Sequence, residues 1–83
     1  MDVLKDVNRV LDEVLSLGGR AAGFTRETAL LGAIPELDSM AVVSLIGALE
    51  TRFGIVAEDD EISGDTFATV GSLVDFVTSM LDA

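Results

Sequence analysis

The sequence predicts an all-α fold: a small four-helix bundle of three main helices and one short one, with a long loop between the first and second helices. Three observations predict it. Apolar residues recur at helical spacing in three separate segments. Glycines and good N-cap residues punctuate those segments. No stretch of useful length alternates with the period of two that a half-buried strand requires. The 83 residues, 49% of them hydrophobic, are enough for one modest core, so residues 1–83 are expected to form a single domain.

The first helix is expected over about residues 2–17, where Val3, Val7, Val10, Val14 and Leu17 recur on one face and Leu4, Leu11 and Leu15 widen it. Gly18-Gly19 is its expected stop. Residues 18–38, with Gly23, Gly32 and the single Pro35, show no sustained period. Phe24, Leu30, Leu31, Ile34 and Leu37 punctuate this stretch, so it reads as a loop pinned across the core by apolar anchors. The second helix carries Val42, Leu45, Ile46, Leu49 and Phe53 at i, i+3, i+4, i+7 and i+11, opens at Asp38-Ser39 and stops at Gly54. The last helix repeats the pattern with Val70, Leu73, Val74, Val77 and Leu81, with Thr69 as its expected cap. Between them the short helix is expected around residues 59–64, broken by Gly64.

Composition removes several classes of function. The chain has no Cys and no His, so disulfides, thiolate or imidazole metal sites and a cysteine nucleophile are excluded. Five Lys+Arg against 15 Asp+Glu give a formal charge of −10, which argues against nucleic acid as a partner. Asp2, Lys5, Asp6 and Arg9 stand where a signal peptide would be apolar, and no apolar run approaches the ~18 residues of a spanning helix. No membrane role and a cytoplasmic location are therefore expected. The acid is concentrated: residues 28–83 hold ten acids and only Arg52 as a base. Such a field can steer basic partners, although the run Glu58-Asp59-Asp60-Glu61 also reads as a plain solvated loop.

The segment with most chemical promise is Glu36-Leu37-Asp38-Ser39-Met40, where a hydroxyl stands at the start of an amphipathic helix. Ser39 or Asp38 there is also what a simple N-cap would require. Taken with the rest of the chain, however, this segment, the following Val43, Leu45 and Leu49, and the closing Glu50-Thr51-Arg52-Phe53-Gly54-Ile55 resemble the acyl carrier protein family. The resemblance extends over essentially the whole chain.

It implies a non-catalytic carrier whose Ser39 receives 4′-phosphopantetheine from coenzyme A, transferred by a phosphopantetheinyl transferase that recognises Asp38. The attached arm would hold an acyl, aminoacyl or peptidyl group as a thioester, supplying the thiol the chain lacks. A phosphodiester at Ser39 would meet the N-terminus of the second helix, which favours negative charge. Leu45, Leu49, Phe53, Phe67, Val70, Val74 and Val77 match the family's core. Leu49, Phe53 and Val74 match residues that shelter the attached chain. Met40 and Val43 resemble the apolar contacts offered to partner enzymes, an acyl ligase, acyltransferase or synthase with a basic docking surface, or else simply cover the loop before Ser39. Of the family's acids along this helix Asp38 and Glu50 remain. Glu36 before it and Asp59, Asp60 and Glu61 after it would take over part of the charge complementarity, a docking field displaced from the helix. A monomer is expected.

Departures from the family pattern narrow this reading. Ala41, Ser44 and Thr51 stand where acids are common, and Gly47 replaces a larger apolar residue, which would widen a mouth for cargo. Gly-Arg-Ala-Ala-Gly-Phe and Leu-Leu-Gly-Ala-Ile-Pro-Glu-Leu-Asp-Ser-Met look like the stand-alone carriers that accompany bacterial exosortase and exopolysaccharide systems. Two other readings compete. Asp59, Glu61, Ser63 and Gly64 imitate the first half of a calcium-binding loop, although its twelfth position is Val70 instead of Glu. An acidic helical adaptor with Ser39 as a mere cap is the other.

Overall fold

Each of the three periodic segments forms an α-helix in the computed structural model, which describes residues 2–58 and 62–82. They are α1 (Val3–Leu15), α2 (Ser39–Phe53) and α3 (Val70–Asp82), with 3-10 turns at Arg20–Gly23 and Gly64–Phe67. α1 packs against both α2 and α3, which touch each other less. Among the described residues the largest fully buried side chains are Val7, Leu11, Leu30, Leu45, Val70, Leu73 and Val77. Each buried aliphatic side chain contributes about 1.5–3 kcal/mol relative to exposure.

α1 starts where the Asp2 carboxylate accepts from the Lys5 N–H at 3.1 Å. Its end differs from the expected glycine pair. Ser16 takes the left-handed conformation at φ 54°, and its N–H bonds to the Asp12 carbonyl. The reversal comes early because Leu17 must turn back into the core, where it is buried. α3 opens on a reciprocal cap, with the Ser72 N–H donating to Thr69 Oγ1 at 3.1 Å and the Thr69 N–H to Ser72 Oγ at 3.1 Å. This is a capping box with Ser in the place of the usual Glu.

The long connection is held more tightly than its composition suggests. An antiparallel bridge joins Ala29 to Thr69. Around it the N–H groups of Leu30 and Leu31 donate to the carbonyls of Ala68 and Phe67, and those of Val70 and Gly71 donate to Thr28 and Arg26. Leu30 and Leu37 are buried, and Phe24 and Ile34 pack half-buried against the core, as anchors should. Leu31 does not belong with them: it is 47% exposed. Leu30 follows the bridge residue directly and is buried, whereas Leu31 begins the turn that leads toward α2 and is left at the surface.

The short element also departs from expectation. It is a 3-10 turn that begins at Gly64, where a helix over 59–64 was expected to break. Ser63 and Thr66 form a capping box there, and burial of Phe67 fixes the turn one step later in the chain. Residues 59–61 lie outside the described residues. Among the described residues the fourth helical element is thus a 3-10 turn, and no helix is long and apolar enough to cross a membrane.

Candidate functional site at the start of α2

The lead-in to α2 is a folded turn. Ala33 and Ile34 N–H groups donate to the Leu30 carbonyl at 3.1 and 3.0 Å, and Leu37 N–H donates to Ile34 at 3.0 Å. Burial of Leu37 pins the backbone immediately before Asp38. Asp38 is extended, at φ −108° and ψ −174°, and its Oδ1 accepts from the Ala41 N–H at 2.8 Å. Asp38 is therefore the N-cap, and Ser39 is the first residue of the helix.

This register leaves the Ser39 hydroxyl uncommitted. From α2 to the first turn of α3, the hydroxyls of Thr51, Ser63, Thr66, Thr69 and Ser72 all take part in hydrogen bonds. Ser39 and Ser44 are exposed, and their hydroxyls have no partner among the described residues. Only Ser39 stands in the first turn. The Ser39 and Met40 N–H groups there have no partner among the described residues either, because Asp38 takes up those of Ala41 and Val42. A phosphate ester on Ser39 fits this place: an accessible oxygen beside free N–H donors at the positive end of a 15-residue helix.

The charges flanking α2 are largely committed within the molecule. Glu36 pairs with Arg20, and the Arg20 hydrogen bond, aided by a backbone N–H, holds the Glu36 carboxyl below the ordinary glutamate range. Glu50 Oε2 accepts from the Ala57 N–H at 2.9 Å and so ties down the chain after α2. Arg52 faces Asp6 of α1 at 3.7 Å. Met40 and Val43, one turn apart, are 77% and 68% exposed. Around Ser39 the exposed apolar side chains of Met40 and Val43 stand beside the Asp38 carboxylate and the Arg20–Glu36 ion pair. Asp59 and Asp60 lie outside the described residues.

The three residues matched to cargo shelter sit differently from one another. Leu49 and Val74 are buried in the core cluster, and Phe53 is half-buried against it. Two surface cavities are lined by other residues. One, of about 510 Å³, lies along α1 and includes Leu4, Asn8 and Phe24. The other, of about 410 Å³, lies between α1 and α2 and includes Val10, Gly47 and Thr51. Gly47 is exposed, and a Cβ built on it would meet no atom within 4 Å outside its own helix backbone. Among the described residues no three acids gather as a metal site, and Asp59 and Glu61 of the calcium-like pattern are not among them.

Arg20 belongs to the Gly-Arg-Ala-Ala-Gly-Phe wording, but no local pattern names Glu36 as its partner. It stands 16 residues before Glu36 in a stretch without periodicity, and only the folded loop brings the two together.

A family profile described as "phosphopantetheine attachment site" matches residues 36–77, with Ser39 near its start. The chain is similar to the solution NMR structure of a holo acyl carrier protein from Nitrosomonas europaea: 51% identity over 100% of both chains, with a TM-score of 0.93. No curated protein matches it.

Proposed function

The chain belongs to the phosphopantetheine-attachment-site family, and from that premise we propose that residues 1–83 act as one acyl carrier unit modified with 4′-phosphopantetheine on Ser39. The observation that carries this assignment is the free, exposed Ser39 hydroxyl at the first position of α2, inside the matched segment. When attached, the group supplies a terminal thiol for a thioester, which a chain without Cys cannot supply itself. The protein's own share is presentation. Asp38 holds the first turn, Ser39 offers the oxygen, and the Ser39 and Met40 N–H groups face the added negative charge. The domain catalyses nothing.

Its partners in this reading are a phosphopantetheinyl transferase, which engages Asp38, and enzymes that load or remove the acyl group. The exposed Met40 and Val43 form their apolar contact. Because Glu36 and Glu50 are engaged internally and α2 lacks acids at Ala41, Ser44 and Thr51, a dedicated ligase or acyltransferase suits the surface better than enzymes that read a strongly acidic helix. The wording Gly-Arg-Ala-Ala-Gly-Phe and Leu-Leu-Gly-Ala-Ile-Pro-Glu-Leu-Asp-Ser-Met is what supports kinship with the carriers of exosortase and exopolysaccharide systems, and such kinship implies a dedicated partner. The test is loading in vitro: purified protein with coenzyme A, magnesium and a broad-specificity transferase gains one phosphopantetheine mass, and Ser39→Ala gains none. An unmodified wild type, or equal modification of Ser39→Ala, would overturn the assignment.

A further inference from the structure

Resting on that reading of Ser39, we infer that Arg20 is a positioning residue for the attachment serine, acting through Glu36. The guanidinium is oriented from behind and then spans to the lead-in of α2. Its Nε donates to the Leu17 carbonyl at 3.1 Å, and its Nη2 donates to Glu36 Oε2. Both ends of this link stand on fixed backbone. On the Arg20 side, the two Asp12 carboxylate oxygens accept from Gly19 N–H at 3.0 Å and Ala21 N–H at 3.1 Å, and Leu17 and Ala21 are buried. On the Glu36 side, Leu37 is buried and Asp38 caps the helix that Ser39 begins.

A mechanical path thus runs from α1 through Asp12, the turn, Arg20 and Glu36 to the residues that set the Ser39 hydroxyl. An ordinary exposed ion pair loses much of its value to the freedom of two long side chains. Here the guanidinium is already held by Nε, so closing on Glu36 costs less ordering. Ion pairs of this exposure change an equilibrium or rate about two- to fivefold at most, and that sets the scale of the expected effect.

The test measures transferase kinetics with the apo protein as varied substrate, for wild type, Arg20→Ala, Glu36→Gln, the double variant and Arg26→Ala. All are assayed at a temperature where circular dichroism shows each folded. Arg26 also forms an exposed ion pair, but with Asp75 of α3 and not with the lead-in to α2. Arg20→Ala and Glu36→Gln should each lower kcat about two- to fivefold with KM unchanged. The double variant should be no slower than the slower single, because both remove one shared interaction. Arg26→Ala should match wild type. Wild-type kcat in Arg20→Ala, additive losses, or a loss confined to KM and abolished by salt would each overturn the inference; the last would make the pair a docking charge. If wild type accepts no arm at all, it is the Ser39 assignment that fails, and amide hydrogen exchange decides the role of Arg20 by itself. Exchange at Leu37 and Ala41 should accelerate severalfold in Arg20→Ala, and unchanged exchange there overturns the positioning role.

Discussion

Gly71→Ala and Gly47→Ala should move stability in opposite directions, although each replaces a glycine inside a helix. Alanine is favoured over glycine there by about 1 kcal/mol. At Gly47 nothing opposes that gain, since the new Cβ meets no atom within 4 Å outside its own helix backbone. At Gly71 the Cβ would lie 2.8 Å from the Arg26 carbonyl oxygen and 3.2 Å from Arg26 Cβ. The carbonyl cannot move aside cheaply, because it accepts the Gly71 N–H at 2.9 Å within the ladder that ties residues 26–31 to residues 67–71. Overpacking of this kind costs about 1–3 kcal/mol, and loosening the hydrogen bond adds about 1 kcal/mol. Less the helix gain, Gly71→Ala should lose about 1–3 kcal/mol. In a domain of this size each kcal/mol moves Tm by roughly 4–8 °C. Thermal and urea unfolding by circular dichroism should show Gly47→Ala slightly more stable than wild type and Gly71→Ala clearly less. A Gly71→Ala protein as stable as Gly47→Ala would refute the close approach of the loop to α3.

Three further outcomes follow from the same structure. Leu30→Ala should destabilise by about 2–5 kcal/mol and Leu31→Ala by no more than about 0.5 kcal/mol, read from denaturant midpoints; equal losses would contradict the bridge at Ala29. Asp38→Ala should cost about 0.5–2 kcal/mol through loss of the α2 cap, whereas Ser39→Ala should leave the urea midpoint nearly unchanged. The Glu36 carboxyl is depressed by Arg20, so its contribution to stability is fully present above the ordinary glutamate range and is lost as pH falls through the lower folded value. Tm followed from pH 7 into that acidic range should fall less steeply for Glu36→Gln than for wild type; parallel curves would contradict the pairing.

What sequence reading recovers here is what local pattern encodes. The apolar period places α1, α2 and α3 within about two residues, and the buried stripe of Val70, Leu73, Val74 and Val77 follows from it directly. The register at Asp38-Ser39 is less accessible, because both residues are good caps. The choice depends on backbone conformation, and it decides whether the serine is occupied or free. The difference between Leu30 and Leu31 depends on a bridge to residues about 40 positions away, which no local window contains. Charge is the clearest case. A count of acids does not show that Glu36 is paired with Arg20 or that Asp38 accepts from the Ala41 N–H. A formal charge does not say which carboxylates the fold has already used.

The central claim is most directly tested by locating the modification on the chain. Cleavage after Arg26 and Arg52 isolates residues 27–52, a peptide that contains both exposed candidate hydroxyls, Ser39 and Ser44. Tandem mass spectrometry of that peptide from transferase-treated protein should place the phosphopantetheine on Ser39. An adduct on Ser44, or a treated peptide carrying none, would contradict the account.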